Sequence, residues 1–129
     1  MNVELAVKAL LDAAGPVTAL VPAARIYAGR LPQNVAYPAL LINTIASSPI
    51  DSYPASGTDA RIEVRAFSRT RSEVKAVLDA VGPALKRQWG SFGGISVAAI
   101  IGPYGGPSLY DDSMEVYHES FDFTVITNP

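Results

Sequence analysis

Strict alternation of polar and apolar residues in two separate stretches is the feature that most constrains the fold. Residues 59–68, DARIEVRAFS, put Ile62, Val64 and Ala66 on one face and Arg61, Glu63, Arg65 and Phe67 on the other. Residues 114–127, MEVYHESFDFTVIT, put Tyr117, Phe121, Phe123 and Val125 on one face and Val116, His118, Ser120, Asp122 and Thr124 on the other. A period of two is typical of a strand with one face in the core. Both stretches are therefore predicted to be strands of a sheet.

Two other stretches repeat apolar residues at the three-to-four spacing of a helix. Residues 2–14 do so through Val3, Val7, Leu10, Leu11 and Ala14, and a further helical turn is predicted in VTALV after Gly15-Pro16. Residues 70–87 do so through Val74, Val77, Leu78, Val81 and Leu85, and Thr70 and Glu73 have the spacing of a capping box. Pro83 lacks the amide that would bond to Asp79, which predicts a kink or a break. Trp89 is predicted to close the core at the end of this helix, with a binding role as the alternative.

The remaining segments complete the predicted architecture. Residues 38–46 (PALLINTIA) and 94–101 (GISVAAII) are predicted strands, residues 47–57 (SSPIDSYPASG) a long loop, and GSFGG and GPYGG (90–94 and 102–106) turns. The order is helix, strand, strand, helix, strand, strand. It predicts a single α+β domain over residues 1–129, a two-layer sandwich with a mostly antiparallel four-stranded sheet and two main helices on one face.

Composition excludes several classes of protein. The chain has no cysteine, so disulfides and thiolate metal sites are excluded. A net charge of −2 offers no electrostatic basis for wrapping nucleic acid, and no apolar run reaches the ~20 residues of a membrane span. We expect a soluble chain made in the cytoplasm. Charged residues are only 17% of the chain and hydrophobic residues 49%, which fits either surface buried against partner subunits or an ordinary alanine-rich monomer.

The sequence offers an enzyme little chemistry. His118 is the one histidine, lies on the polar face of its strand, and is not accompanied by a GxSxG element. Asp111, Asp112 and Glu115 could bind a hard cation, but they lack EF-hand spacing, which favours a solvated acidic loop. No catalytic residue, metal site or cofactor is therefore predicted.

Charges of opposite sign are segregated along the chain. Residues 61–71 hold four arginines, Arg61, Arg65, Arg69 and Arg71, against Glu63 alone, whereas residues 111–122 hold five acidic residues and no basic residue. Two interpretations are open. The segments can be neighbouring strands that pair within one subunit, or they can meet across a head-to-tail interface of the kind that closes into a ring.

The chain resembles the small phage and prophage tail completion, or tail terminator, proteins. An N-terminal helix ending in an ALV segment (LLDAAGPVTALV) is followed by IYAGRLPQ and the proline-led strand YPALLIN. An alternating strand with an amphipathic helix (DARIEVRAFSRTRSEVKAVLDAV) and a final aromatic strand after an acidic turn (YDDSMEVYHESFDFTVI) complete the likeness over nearly the whole chain. The chain departs from the family pattern at Gly82-Pro83, which interrupts the second helix.

The resemblance implies a structural virion protein that acts without a cofactor. Such proteins form rings, often of six subunits, that cap the tail tube and join it to the head–tail connector, so the expected location is the head–tail junction of the virion. The resemblance and the charges together suggest subunit or partner contacts at Arg25, Tyr27, Arg30, Pro32, Gln33, Arg61, Arg65, Asp111, Asp112 and Glu119. The segments 28–37 and 47–58 are the expected contact loops. A head-closure or connector adaptor, and a small hydrolase or metal-dependent enzyme built on His118, are the alternatives.

Overall fold

One mixed sheet of seven strands dominates the fold. The computed structural model of the chain describes residues 3–51 and 56–128. The strands are β1 Ile26–Ala28, β2 Ala39–Asp51, β3 Ser56–Ser68, β4 Gly90–Phe92, β5 Ile95–Gly105, β6 Leu109–Asp111 and β7 Val116–Thr127. Their order is β1-β2-β3-β7-β5-β4, and β6 pairs with the start of β7. The β1–β2 pair is parallel and the other pairs are antiparallel.

The predicted fold class, an α+β sandwich with a four-stranded and mostly antiparallel sheet, is wrong. The sheet has three more strands, includes a parallel pair, and makes the chain predominantly β-structure. The physical reason is that β1, β4 and β6 have three residues each, too few for a periodic pattern to show in sequence. β4 and β6 pair with the strands that follow them across short turns, and β1 pairs with β2, so these strands are defined by their pairing and not by a sequence pattern.

The prediction of a long loop at residues 47–57 is also wrong for the residues of that segment that the structure describes. The β2–β3 ladder continues from Ser47 opposite Ala60 to Asp51 opposite Ser56, after a register shift between Thr44 and Ala46. Residues 52–55, the rest of the predicted loop, lie outside the described residues. On the side of β2 away from β3, β1 pairs only with Leu40–Ile42. At Pro49 that side of β2 therefore has no partner among the described strands. A proline, which lacks an amide hydrogen, is tolerated at such an edge.

The helices are α1 Val3–Ala13, α2 Gly15–Thr18 and α3 Arg71–Leu85, with a short 3₁₀ turn at Ala23–Arg25. These bounds confirm both amphipathic helices. The extra turn predicted in VTALV lies earlier, at Gly15–Thr18, and includes Gly15 and Pro16. The Thr70 hydroxyl accepts a hydrogen bond from the amide of Glu73 at 3.3 Å, which confirms the cap. The carboxylate of Glu73 accepts from the Ser68 hydroxyl. The predicted break at Pro83 is absent, because the exposed proline sits in the last turn and removes only one helical hydrogen bond.

The core lies between α1, α3 and the inner face of the sheet. Ile62 is opposite Phe123 and Val64 is opposite Phe121, which confirms the faces predicted for both alternating strands. Ile62, Val64 and Phe123 are buried, together with Val7 and Leu11 of α1. The opposite side, hereafter the outer face, carries Leu41, Arg61, Glu63, Arg65, Phe67, His118 and Asp122.

Two further sequence predictions fail at glycine-aromatic segments. Residues 102–105, from GPYGG, extend β5 through a register shift between Ile101 and Tyr104 and do not form a turn. The GSFGG segment forms β4 and a two-residue turn, in which Gly93 and Gly94 have positive φ of 56° and 78°. Two consecutive positive φ angles define the hairpin turn that matches strand twist. The turn predicted here is thus confirmed only in its last two residues.

Candidate subunit-contact site

The arginines of the outer face have carboxylate partners within the chain. Arg61 lies 2.7 Å from the Asp122 carboxylate on the neighbouring strand, and Arg65 lies 3.0 Å from Glu63 two residues away. The pair between Arg61 and Asp122 matches the interpretation in which the basic and acidic segments are neighbouring strands. Contacts of Arg61 and Arg65 with another subunit remain a prediction.

His118 is part of the same outer-face network. The Arg65 guanidinium donates to His118 Nδ1 over 2.7 Å, and the imidazole stacks on Phe67 with ring centroids 5.4 Å apart. Partial burial and the Arg65 charge lower the pKa of His118 below its usual value, although Asp111 and Glu63 oppose the change. The arrangement favours a neutral ring whose Nδ1 is occupied, which is a structural role.

Glu119 faces the helices instead of the outer face. It is 6% exposed, and the Lys75 ammonium of α3 lies 2.8 Å from its Oε1 and 3.1 Å from its Oε2. The contact to Oε2 has hydrogen-bond geometry, and the contact to Oε1 is electrostatic. This side chain, predicted as a charged subunit contact, therefore has an intrachain partner.

The acidic turn between β6 and β7 is organised by Asp111. Its Oδ1 accepts from the Ser113 amide and hydroxyl at 2.9 and 2.7 Å and from the Met114 amide at 3.1 Å. These hydrogen bonds lower the pKa of Asp111, and the bond from the Ser113 hydroxyl has the largest effect. Asp112 and Glu115 are exposed in the same turn. Asp111 thus builds the turn, and the turn presents the other two carboxylates to solvent.

A groove on the outer face brings the second set of predicted residues together. The groove, hereafter the sheet groove, has a volume of about 710 Å³. It is lined by residues 29–35, Tyr37, Leu41, Phe67, Arg69 and Met114. Arg30, Pro32 and Gln33 are thus in one wall, as parts of a loop that lies over the sheet. Met114 brings the acidic turn to the rim, so the two predicted contact regions are neighbours.

Tyr37 links the wall of the sheet groove to two cations. Arg25 donates from Nη1 to the Tyr37 carbonyl over 2.9 Å, and the Arg69 guanidinium lies 5.4 Å from the centre of the Tyr37 ring. Arg25 thereby helps to hold the wall in place. Tyr27, another predicted contact, is half-buried in β1 opposite Leu41.

Sequence reasoning placed Tyr37 in the expected contact loop 28–37 and Arg69 in the basic segment, but it named neither of them, nor Met114, as a contact residue. Tyr37, Arg69 and Met114 come from three separate segments, and only the sheet brings them to one groove. Trp89, predicted to close the core, is 75% exposed just before β4, so that prediction is wrong. The charged run Lys86-Arg87 before it was the available signal that the chain had left the core.

The described residues hold no group of three or more His, Asp or Glu side chains that could bind a metal ion. In the same part of the chain, no helix combines the length and hydropathy that a membrane crossing requires. The identified features of the outer face are therefore a groove, ion pairs and a stacked histidine.

Comparisons with known proteins agree with this geometry. The sequence profile of the family "Tail completion protein gp17" matches residues 6–128. A solved structure described as "Virion of native gene transfer agent (GTA) particle" contains a chain with a TM-score of 0.76 and 14% identity, over 96% of this chain and 92% of that one. At this identity the likeness concerns the fold. No curated protein matches the sequence.

The family match covers the segments in which the resemblance was noted in the sequence. The profile spans all the elements from α1 to β7, and therefore includes the sheet groove and the acidic turn. The family is one of structural phage tail proteins, for which no enzymatic activity is known. The chain belongs to the tail completion protein gp17 family.

Proposed function

We propose that the chain is a tail terminator, or tail completion, subunit that forms a ring on the finished tail tube and joins the tail to the head connector. The site of action is the head–tail junction of the virion, after synthesis in the host cytoplasm. Its partners are further copies of itself, six in a ring, the tail-tube protein and the connector protein. The gene transfer agent chain of similar fold comes from a virion particle, which supports a place in a virion assembly.

The observation that carries the proposal is the uncovered outer face with its groove. Helices pack on the inner face, while the outer face carries a groove lined by the half-buried Leu41 and the buried Phe67, with the exposed Arg30 in its wall. Large apolar residues are also exposed elsewhere, among them Trp89 at 75% and Ile45 at 50%. Surfaces of this kind, in a chain with only 17% charged residues, are typical of assembly proteins.

Co-assembly with the tail-tube protein tests the proposal directly. Purified chain mixed with tubes is expected to bind one end of each tube and to appear there as a ring in electron micrographs. Tubes that stay uncapped at saturating chain concentration would overturn the proposal. A chain that binds the connector and ignores the tube would instead be a connector adaptor.

A charge reversal in the wall of the sheet groove tests whether this face makes the contact. Arg30 is exposed, so Arg30→Glu should leave the thermal stability of the free chain nearly unchanged while it weakens capping. Arg30→Gln is the matched control that removes the charge without reversing it. Equal capping by all three proteins would exclude the groove wall as a contact.

A further inference from the structure

We infer that the sheet groove receives Trp89 of a second copy of this chain, so that successive subunits join head to tail through this side chain. The inference deepens the proposed ring and rests on it, since it names the contact between neighbouring subunits. Three properties support it: an exposed tryptophan, a groove of matching chemistry, and unpaired charges of opposite sign beside each.

Trp89 is held on the surface by the backbone before it. α3 ends at Leu85, and Arg87, with a positive φ of 61°, donates its amide to the Ile100 carbonyl of β5 over 3.2 Å. The segment is thereby fixed to the sheet, and Trp89 is 75% exposed. An aromatic side chain of this kind buries about 150–250 Å² when covered, and tryptophan is enriched at the energetic centres of interfaces.

The sheet groove has the size and chemistry to receive an indole. Its volume of about 710 Å³ lies within the range of sites that enclose small organic groups. Leu31, Leu41 and Phe67 supply apolar surface, and Arg30 and Arg69 supply guanidinium planes. Among the aromatic side chains, tryptophan offers the best ring face for a cation–π contact with a guanidinium.

Trp89 and the sheet groove lie toward opposite edges of the sheet. Trp89 precedes β4, the last strand in the order, whereas the groove floor is formed by β2 and β3 near the β1 edge. A subunit therefore cannot place Trp89 in its own groove without loss of the sheet. Two different surfaces that complement each other give a heterologous contact, and such contacts propagate from copy to copy and close into rings.

The charges beside Trp89 are complementary to those at the rim of the groove, whose wall also carries the cations Arg30 and Arg69. Lys86 and Arg87 precede Trp89, whereas Asp112 and Glu115 flank Met114 at the rim of the groove. Among the described residues, none of these four side chains takes part in an ion pair. Docking of Trp89 brings two cations toward two carboxylates, which favours a second copy over an acidic partner protein.

The fluorescence of Trp89 tests the inference, because the chain has no other tryptophan. Full-length chain is titrated with itself, or with tail tubes, while ring formation is followed by sedimentation. Emission should move to shorter wavelength and become protected from acrylamide as rings form. Trp89→Ala should weaken subunit association about thirtyfold or more, as expected for a central anchor. The matched control is Tyr104→Ala, an exposed aromatic away from the contact, which should associate normally.

Cross-linking identifies the partner surface, and the absence of native cysteine removes background. Gln33→Cys marks the groove wall, and Ser91→Cys marks the Trp89 edge. With a short bismaleimide linker, the doubly substituted chain should give a ladder beyond dimers. An equimolar mixture of the two single variants should stop at the dimer. Rings whose double variant gives no ladder would overturn the inference.

A charge exchange supplies a test that does not depend on Trp89. Lys86→Glu should weaken association, and the combination Lys86→Glu with Glu115→Lys should restore it in one chain. Loss without restoration would exclude the proposed proximity of the two surfaces.

The possible results separate this inference from the proposed function. Rings in which Trp89 stays exposed overturn the inference and leave the proposed ring intact. A chain that forms no ring with or without tubes overturns both. Protection of Trp89 by tubes without any cross-linked ladder would assign Trp89 to the tube, and so would also overturn the inference.

Discussion

His118 Nδ1 lies 2.7 Å from the Arg65 guanidinium, which can only donate. The imidazole must therefore accept at Nδ1, and protonation of that nitrogen would place two donors against each other. Partial burial of the ring and the adjacent Arg65 charge both lower the pKa of His118. The single histidine of the chain is consequently a neutral structural residue in the outer-face network.

Acidification should destabilise the chain through His118. Because the pKa is lower in the folded state than the unfolded value of 6.5, the unfolded chain binds the proton first. Stability should therefore fall as the pH drops from 6.5 toward the folded pKa. The free energy of unfolding by urea, measured between about pH 7.5 and about pH 5.5, checks this. His118→Gln, which cannot titrate, should lose less stability over the same range, and parallel curves would contradict the assignment.

Removal of the Lys75 ammonium should lower the stability of the chain, because it takes away the cation that pairs with Glu119. Lys75→Met leaves a carboxylate that is 6% exposed without its cation, at a cost of about 1–2 kcal/mol in unfolding free energy. Lys75→Arg keeps the charge and is the control. Addition of Glu119→Gln to Lys75→Met should recover part of the loss, as a double-mutant cycle by urea unfolding would show. Simple additivity of the two changes would contradict a direct pairing.

Gly93 and Gly94 form a matched pair for a test of packing in the β4–β5 turn. Both have positive φ, so alanine at either position should cost about 1 kcal/mol of backbone strain. A Cβ at Gly93 would lie 2.8 Å from the Leu5 carbonyl oxygen, whereas a Cβ at Gly94 meets no atom within 4 Å. Gly93→Ala should therefore lower the melting temperature more than Gly94→Ala. Equal shifts in thermal unfolding would show that α1 does not constrain this turn.

Reversal of the charge at Arg61 distinguishes pairing within the chain from pairing between subunits. Arg61 is mostly exposed, so loss of its 2.7 Å pair with Asp122 should cost the free chain only about 0.2–1 kcal/mol. If the residue also contacts a second subunit, Arg61→Glu should reduce ring formation on tubes more than it reduces thermal stability. Arg61→Gln is the control without charge reversal. A loss of assembly fully explained by the lower stability would confine Arg61 to the intrachain pair.

Local sequence pattern predicted the elements whose apolar periodicity or capping residues lie within one continuous segment. The apolar faces of α1 and α3, the Thr70 cap, and the two faces of β3 and β7 all follow from spacing within one segment. The candidate contact residues Arg30, Pro32 and Gln33 were also named from sequence, and the structure places all three in the wall of one groove.

Only the tertiary structure decided the extent of the sheet and the composition of the groove. No period in the sequence marks the strands β1, β4 and β6 or the SSPID part of β2, and only their backbone pairing with neighbouring strands defines them. In the same way, Pro103 lies within β5 beside a register shift, and Trp89 is outside the core because the sheet edge fixes the segment before it. Periodicity determines which face of an element is apolar. Strand pairing determines how far the element extends, and the assembled sheet determines which distant side chains, such as Tyr37, Arg69 and Met114, meet on its surface.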